Sequence, residues 1–130
     1  MKDCNLYLDD IRSPIDSFHT TKDPIYIKLH WNIVRSYEEF VNFVKKNKYI
    51  SIISLDHDLS DEHYEYGDIE YRQYKEKTGY ECAIWYCDYF INNISDNISD
   101  FPKIYIHSQN TVGVENISMY IQNFKKNILK

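Results

Sequence analysis

The chain has 130 residues, 43% of them hydrophobic, and a formal net charge of -5 at pH 7. That length suits one domain around one core, and that hydrophobic share excludes a disordered chain. The acidic balance argues against binding a DNA duplex through its backbone, which needs a basic face.

The apolar run at 5–8 reads as a first strand that ends on Asp9 and Asp10. Residues 13–24 hold Ser, Pro, Asp, Thr and Lys with little periodicity and read as a loop. A second strand is expected over 30–34. Ser36, with Glu39 three residues on, makes a capping box. Tyr37, Phe40, Val41 and Val44 follow at helical spacing, which predicts a helix over 37–47. The apolar run at 49–55 predicts a strand buried on both faces, as in a parallel sheet. Residues 60–77 form a charged, tyrosine-rich insert with a short helix expected near 69–77. Its Tyr64, Tyr66, Tyr71 and Tyr74 either pack over the core edge or stack on a base. Thr78 and Glu81 make another capping box, and Tyr80, Ala83, Ile84, Cys87, Ile91 and Ile94 form the stripe of the following helix. A strand is expected at 103–106, and the last helix carries Ile117, Tyr120, Ile121, Phe124 and Ile128 on one face.

Strands alternating with amphipathic helices predict an α/β fold. The expected architecture is a short doubly wound parallel sheet, flavodoxin-like, with strand order 2-1-3-4. No repeat or boundary divides the chain, so a single domain is expected over 1–130, with the insert at 60–77. No apolar run approaches the ~20 residues that span a bilayer, and the N-terminal stretch lacks the apolar core of a signal peptide. Cys4, Cys82 and Cys87 form no C-x-x-C pair and are odd in number, so no disulfide framework or zinc site is expected and a reducing cytoplasm fits best.

In a doubly wound sheet, ligands bind beyond the carboxyl ends of the strands, where the strand order reverses. Three polar clusters follow apolar strands directly: Asp9 and Asp10, then Asp56, His57 and Asp58, then His107, Ser108 and Asn110. Strand periodicity would set Asp56 and Asp58 on one face and His57 on the other. Carboxylates crowded in one crevice repel one another unless a cation binds or one of them keeps its proton. Oxygen-only ligation favours Mg²⁺ or Mn²⁺, with Asp9, Asp10, Asp56 and Asp58 as candidate ligands. Arg12 can fork onto phosphate oxygens. The helix starts after Thr78 and Gly79, and after Thr111 and Gly113, are expected to offer free N–H groups to an anion. Plainer roles are open for each: Asp9, Asp10, Asp56 and Asp58 as caps, Arg12 as their ion-pair partner, His57 and His107 as backbone-bonded structural residues, Asn110 as a turn residue.

The motifs L-x-L-D-D-I-R-S-P from Leu6, S-L-D-H-D-L from Ser54, T-G-Y from Thr78 and I-H-S-Q-N-x-V-G from Ile106 occur in this order. As a set they resemble the cyclic-phosphate-processing receiver-like domains, divergent relatives of response-regulator receivers found in bacteria and phages. The resemblance implies a receiver-type acidic pocket, in which Asp9 and Asp10 match the paired metal-binding acids. Asp56 matches the position that receivers phosphorylate, and Ser108 the hydroxyl residue after a later strand. His57, Asp58, His107 and Asn110 are what the family adds, with action on cyclic phosphates of nucleotides or RNA ends. The chain departs from receivers in showing no fifth strand that ends in a lysine, and from the family pattern in its longer insert.

The function expected is a metal-assisted phosphoesterase opening a cyclic phosphate. Asp9, Asp10 and Asp56 would hold the cation, and a bound water or Asp56 itself would attack phosphorus. His107, or else His57, would act as general acid, and Arg12, Ser108 and Asn110 would orient the phosphate. Two alternatives are a cyclic-nucleotide sponge without catalysis and a signalling receiver phosphorylated on Asp56.

Overall fold

The computed structural model describes residues 3–59 and 77–130. The expected helix near 69–77 and the insert's tyrosines therefore lie outside the described residues, Lys77 excepted.

Strands β1 (Asn5–Leu8), β2 (Asn32–Val34), β3 (Ile52–Leu55) and β4 (Lys103–Ile106) form a four-stranded sheet in the order β2-β1-β3-β4, and each adjacent pair is parallel. This is the order expected from the alternation of strands and helices. The third strand is shorter than its apolar run suggested: Tyr49 is 62% exposed, and pairing with β1 begins at Ile52.

Alternation along the strands gives the sheet two unlike faces. Leu6, Leu8, Ile53 and Leu55 enter the larger core, together with residues of helices α3 (Tyr37–Lys46), α4 (Gly79–Asn93) and α5 (Thr111–Asn127). Tyr7 and Ile52 instead join a smaller aromatic cluster with Tyr26 and Trp31. That cluster is covered by α1 (Pro14–Thr21) and α2 (Ile25–Lys28), which contribute Phe18 and Ile25.

Helix α1 corrects the expectation of a loop over 13–24. Its starting signal is local: Ser13 and Asp16 form a capping box and Pro14 takes the first helical position, where its missing N–H costs nothing. The helix runs only to Thr21 and stops at Lys22, whose φ of 62° is left-handed. With Ser17 its one buried residue, α1 has too little apolar periodicity to announce itself.

Helices α3 and α4 begin where their capping boxes predicted, and α5 begins after Asn110, a cap that no capping box announced. Ser36 accepts from Glu39 N–H, Thr78 from Glu81 N–H and Asn110 from Gly113 N–H. In α4 the buried stripe is rotated from the expected one and consists of Cys82, Ala83, Tyr86, Cys87 and Phe90. Tyr80, Ile91 and Ile94 pack at its margin. On α5, Ile117, Ile121 and Phe124 are buried as expected, whereas Ile128 is exposed. All three cysteines are free thiols, and no described helix is long and apolar enough to cross a membrane.

Candidate active site

Parallel register builds the site. Leu8, Leu55 and Ile106 lie side by side in β1, β3 and β4. The ladder continues one residue further, with Asp56 N–H donating to Leu8 O and His107 N–H to Leu55 O, both at 3.0 Å. Asp9, Asp56 and His107 therefore form a row at the carboxyl end of the sheet, at the point where strand order reverses between β1 and β3.

Asp9, Asp10 and Asp56 each offer a carboxylate oxygen, and these oxygens lie within 4.8 Å of one another. Asp9 and Asp56 are buried, and Asp10 is half-buried. Asp9 Oδ1 accepts from the N–H groups of Ile11 at 3.0 Å and Arg12 at 2.8 Å, and Oδ2 lies 3.2 Å from His107 Nε2. Burial works to raise the Asp9 pKa, but the hydrogen bonds from His107, Arg12 and Ile11 together outweigh it, so the carboxyl sits below its ordinary value. Asp56 behaves oppositely. Burial first, then repulsion from Asp9, pushes it up to about 7, against a hydrogen bond with Ser108 that works to lower it. Among the described residues, Asp56 Oδ2 is buried without a hydrogen-bond partner. A buried oxygen left in that state is costly unless something else binds it. This donor set, hard and anionic, fits a divalent cation of the Mg²⁺ or Mn²⁺ type.

Asp58 stands outside the three-carboxylate group. Its Oδ1 lies 2.8 Å from His57 Nδ1 and 3.2 Å from Asn110 Nδ2, so it faces the start of α5. The expectation that Asp56 and Asp58 share a face, with His57 opposite, is thus corrected. Strand β3 ends at Leu55, and the pleat does not extend through the turn that follows. Gly79 N–H donates to His57 O at 2.7 Å and fixes that turn.

The helix starts also differ from expectation. The Gly79 N–H is taken by His57, and the Gly113 N–H by Asn110 Oδ1 at 2.9 Å, so neither is free for an anion. Thr78 is fully buried, its hydroxyl and N–H both engaged with Glu81. What these residues do instead is bring the helices close. A Cβ on Gly79 would stand 1.8 Å from Asp56 O, and one on Gly113 2.4 Å from Cγ of the His57 ring.

His107 lies behind the acids with its side chain fully enclosed. Nε2 faces Asp9, and Nδ1 lies 2.7 Å from Ser54 Oγ. Burial, opposed by Asp9, holds its pKa below the ordinary histidine value.

Arg12 is half-buried in the β1–α1 loop, and its charge is felt at His107. Ser108 receives Asn110 N–H at 3.1 Å besides its bond with Asp56. One contributor escaped the sequence reading. Arg35, directly after β2, donates through Nη1 to Asp9 O at 3.2 Å and to Arg12 O, tying the acidic loop to the sheet edge. Its position at the end of a strand, beside the same sheet edge as Asp9, was the available signal.

A parallel sheet in this order, with clustered acids beyond its carboxyl ends at the switch point, defines a receiver-like α/β domain. The family model of the cyclic-phosphate processing receiver domain matches residues 4–123, and the chain belongs to that family. Comparison with curated proteins and with solved structures returned no match.

Proposed function

We propose that this protein is a metal-assisted phosphoesterase that opens the cyclic phosphate of a nucleotide or an RNA end. The observation that supports this reading best is the group of Asp9, Asp10 and Asp56, with Asp56 Oδ2 buried and lacking a hydrogen-bond partner among the described residues. These residues would hold Mg²⁺ or Mn²⁺, which supplies charge neutralisation to the phosphoryl oxygens when bound. Arg12 and Ser108 orient the phosphate beside them. Water attacks phosphorus and gives up a proton to solvent, the bond to the ring-closing oxygen breaks, and that oxygen takes a proton.

The proton comes from His57. Its Nδ1 is held by Asp58 at 2.8 Å, and Asn110 holds that carboxylate, so the pair is oriented for transfer through Nε2. His107, whose two ring nitrogens face Asp9 and Ser54, acts on Asp9 instead.

The test is a screen of 3′,5′- and 2′,3′-cyclic nucleotides and 2′,3′-cyclic RNA ends, with Mg²⁺, with Mn²⁺ and with chelator. Metal-dependent turnover of one class is the expected result. Tight binding without turnover replaces the enzyme with a sponge. A stable acyl phosphate on Asp56 replaces it with a signalling receiver.

A further inference from the structure

Behind the acids runs a chain of buried polar groups, two of which, Tyr26 and Ser54, the proposed reaction does not use. Tyr26 of α2 places its hydroxyl 2.7 Å from Ser54 Oγ, and Ser54 Oγ lies 2.7 Å from His107 Nδ1. His107 Nε2 then reaches Asp9 Oδ2 at 3.2 Å. Ser54 is fully buried, and Tyr26 only 4% exposed. A serine inside the apolar strand β3 is costly unless its hydroxyl is satisfied. Here it is satisfied on both sides.

The bond directions follow from the end groups. The Asp9 carboxylate only accepts, so His107 Nε2 bears the proton. Nδ1 of the neutral ring then accepts, so the Ser54 hydroxyl donates to it. Ser54 Oγ in turn accepts the Tyr26 hydroxyl proton. The ring is also clamped by its faces. Tyr7 stacks on it at 4.3 Å with planes 4° apart, and Tyr26 meets it edge-on at 6.1 Å. Tyr7 and Ser54 are register partners in β1 and β3, so the clamp is built into the sheet.

We infer that Ser54 and Tyr26 are positioning residues, which hold His107 with its Nε2–H on Asp9 Oδ2 and thereby orient that carboxylate for a divalent cation. The cation half rests on the metal reading above; the orientation of the ring does not. Outer partners of this kind typically change metal affinity by about 10- to 100-fold when removed.

The experiment uses the full chain. Nitrogen-15 NMR of the metal-free protein reads the His107 ring, and Mn²⁺ binding is followed by electron paramagnetic resonance. In wild type, Nε2–H gives a slowly exchanging proton signal and Nδ1 the shift of a bare acceptor. Ser54→Ala should broaden or lose the Nε2–H signal and weaken Mn²⁺ binding by about 10- to 100-fold. Ser54→Thr, which keeps the hydroxyl, should recover both at least in part. A merely structural role for Ser54 would lower the melting temperature and leave the ring signal in place. Should Ser54→Ala fail to fold, Tyr26→Phe, which deletes one hydroxyl, carries the same readout. A folded Ser54→Ala or Tyr26→Phe protein with the wild-type ring signal overturns the inference. So does a lost signal with unchanged Mn²⁺ affinity. If wild type takes up no Mn²⁺, the metal reading fails, and the ring signal still decides whether Ser54 and Tyr26 hold the histidine.

Discussion

Gly113, in the first turn of α5, stands so close to His57 that a Cβ there would lie 2.4 Å from the ring's Cγ. Gly79, at the start of α4, bears the same relation to Asp56, but the atom in the way is the Asp56 carbonyl oxygen at 1.8 Å. The two glycines let two helix N-termini press on consecutive residues of the loop after β3. The difference between a side chain and a backbone obstacle separates their expected costs.

Gly113→Ala should fold. The His57 ring can rotate, but its Cβ, 2.8 Å from the new methyl position, cannot, so His57 must also shift; alanine regains about 1 kcal/mol of helix propensity against an overpacking cost of about 1–3 kcal/mol. The ring would no longer sit on Asp58, so turnover should fall more than stability. Gly79→Ala cannot be relieved by a side-chain rotation and should destabilise by more than about 3 kcal/mol, or fail to fold. Thermal melts of both variants, with turnover of Gly113→Ala on the substrate found in the screen, check the contrast. Equal melting temperatures for the two would contradict it.

The acidic group predicts a metal response. Millimolar Mg²⁺ or Mn²⁺ should raise the melting temperature of wild type, since a ligand that binds only the folded state stabilises it by about 2.7 kcal/mol at 100 times Kd. Asp10→Ala should remove most of that response. It should do so without unfolding the protein, because Asp10 is only half-buried. Asp58→Asn should keep the metal response, since Asp58 belongs with His57 and Asn110 and not with the three carboxylates. A wild-type melt indifferent to both metals counts against the cation site.

The strand order and the row of Asp9, Asp56 and His107 were legible because each acid or histidine follows an apolar strand directly, and parallel register does the rest. The helix over Pro14–Thr21 was not, because its signal is a capping box and one proline rather than an apolar stripe. The fate of Asp58 was not legible either. Periodicity extends only as far as the ladder does, and β3 stops at Leu55. Helix N-termini looked open to an anion because the sequence does not say that Asn110 will cap Gly113 or that His57 O will take the Gly79 N–H. The inner chain from Tyr26 to His107 depends on a contact between residues 28 apart in sequence and another between residues 53 apart, and no local pattern announces either.

Asp56 predicts how metal-free stability depends on pH. Its ordinary value is 3.8, and in the folded protein it is pushed up to about 7, so the native state holds a proton that the unfolded chain has already released. Between those values the folded state binds more protons, and stability falls as pH rises. The loss is complete above about pH 7 and amounts to at most about 4 kcal/mol. Asp56→Asn abolishes this titration. In chelator, the melting temperature of wild type should drop relative to Asp56→Asn between pH 5 and 7.5. Added Mn²⁺ should reverse the drop, since the cation takes the ionised form. Parallel melting curves for the two proteins across that range would show that Asp56 titrates normally.

The two histidines separate by what each touches. His57 is paired with Asp58 beside Asn110, and His107 is sealed between Tyr7, Ser54 and Asp9. If His57 is the acid, His57→Ala should slow turnover of an unactivated cyclic phosphate by about 10²- to 10⁴-fold, the usual worth of general acid help. A cyclic or linear diester whose leaving group needs no proton should be largely spared. His107→Ala should slow both substrates alike, because it disturbs Asp9 and not the leaving oxygen, and added Mn²⁺ should recover part of the loss. The same leaving-group dependence in His107→Ala but not in His57→Ala would reverse the assignment. Normal turnover in both variants would mean that neither histidine moves the proton, and that leaving-group protonation comes from solvent.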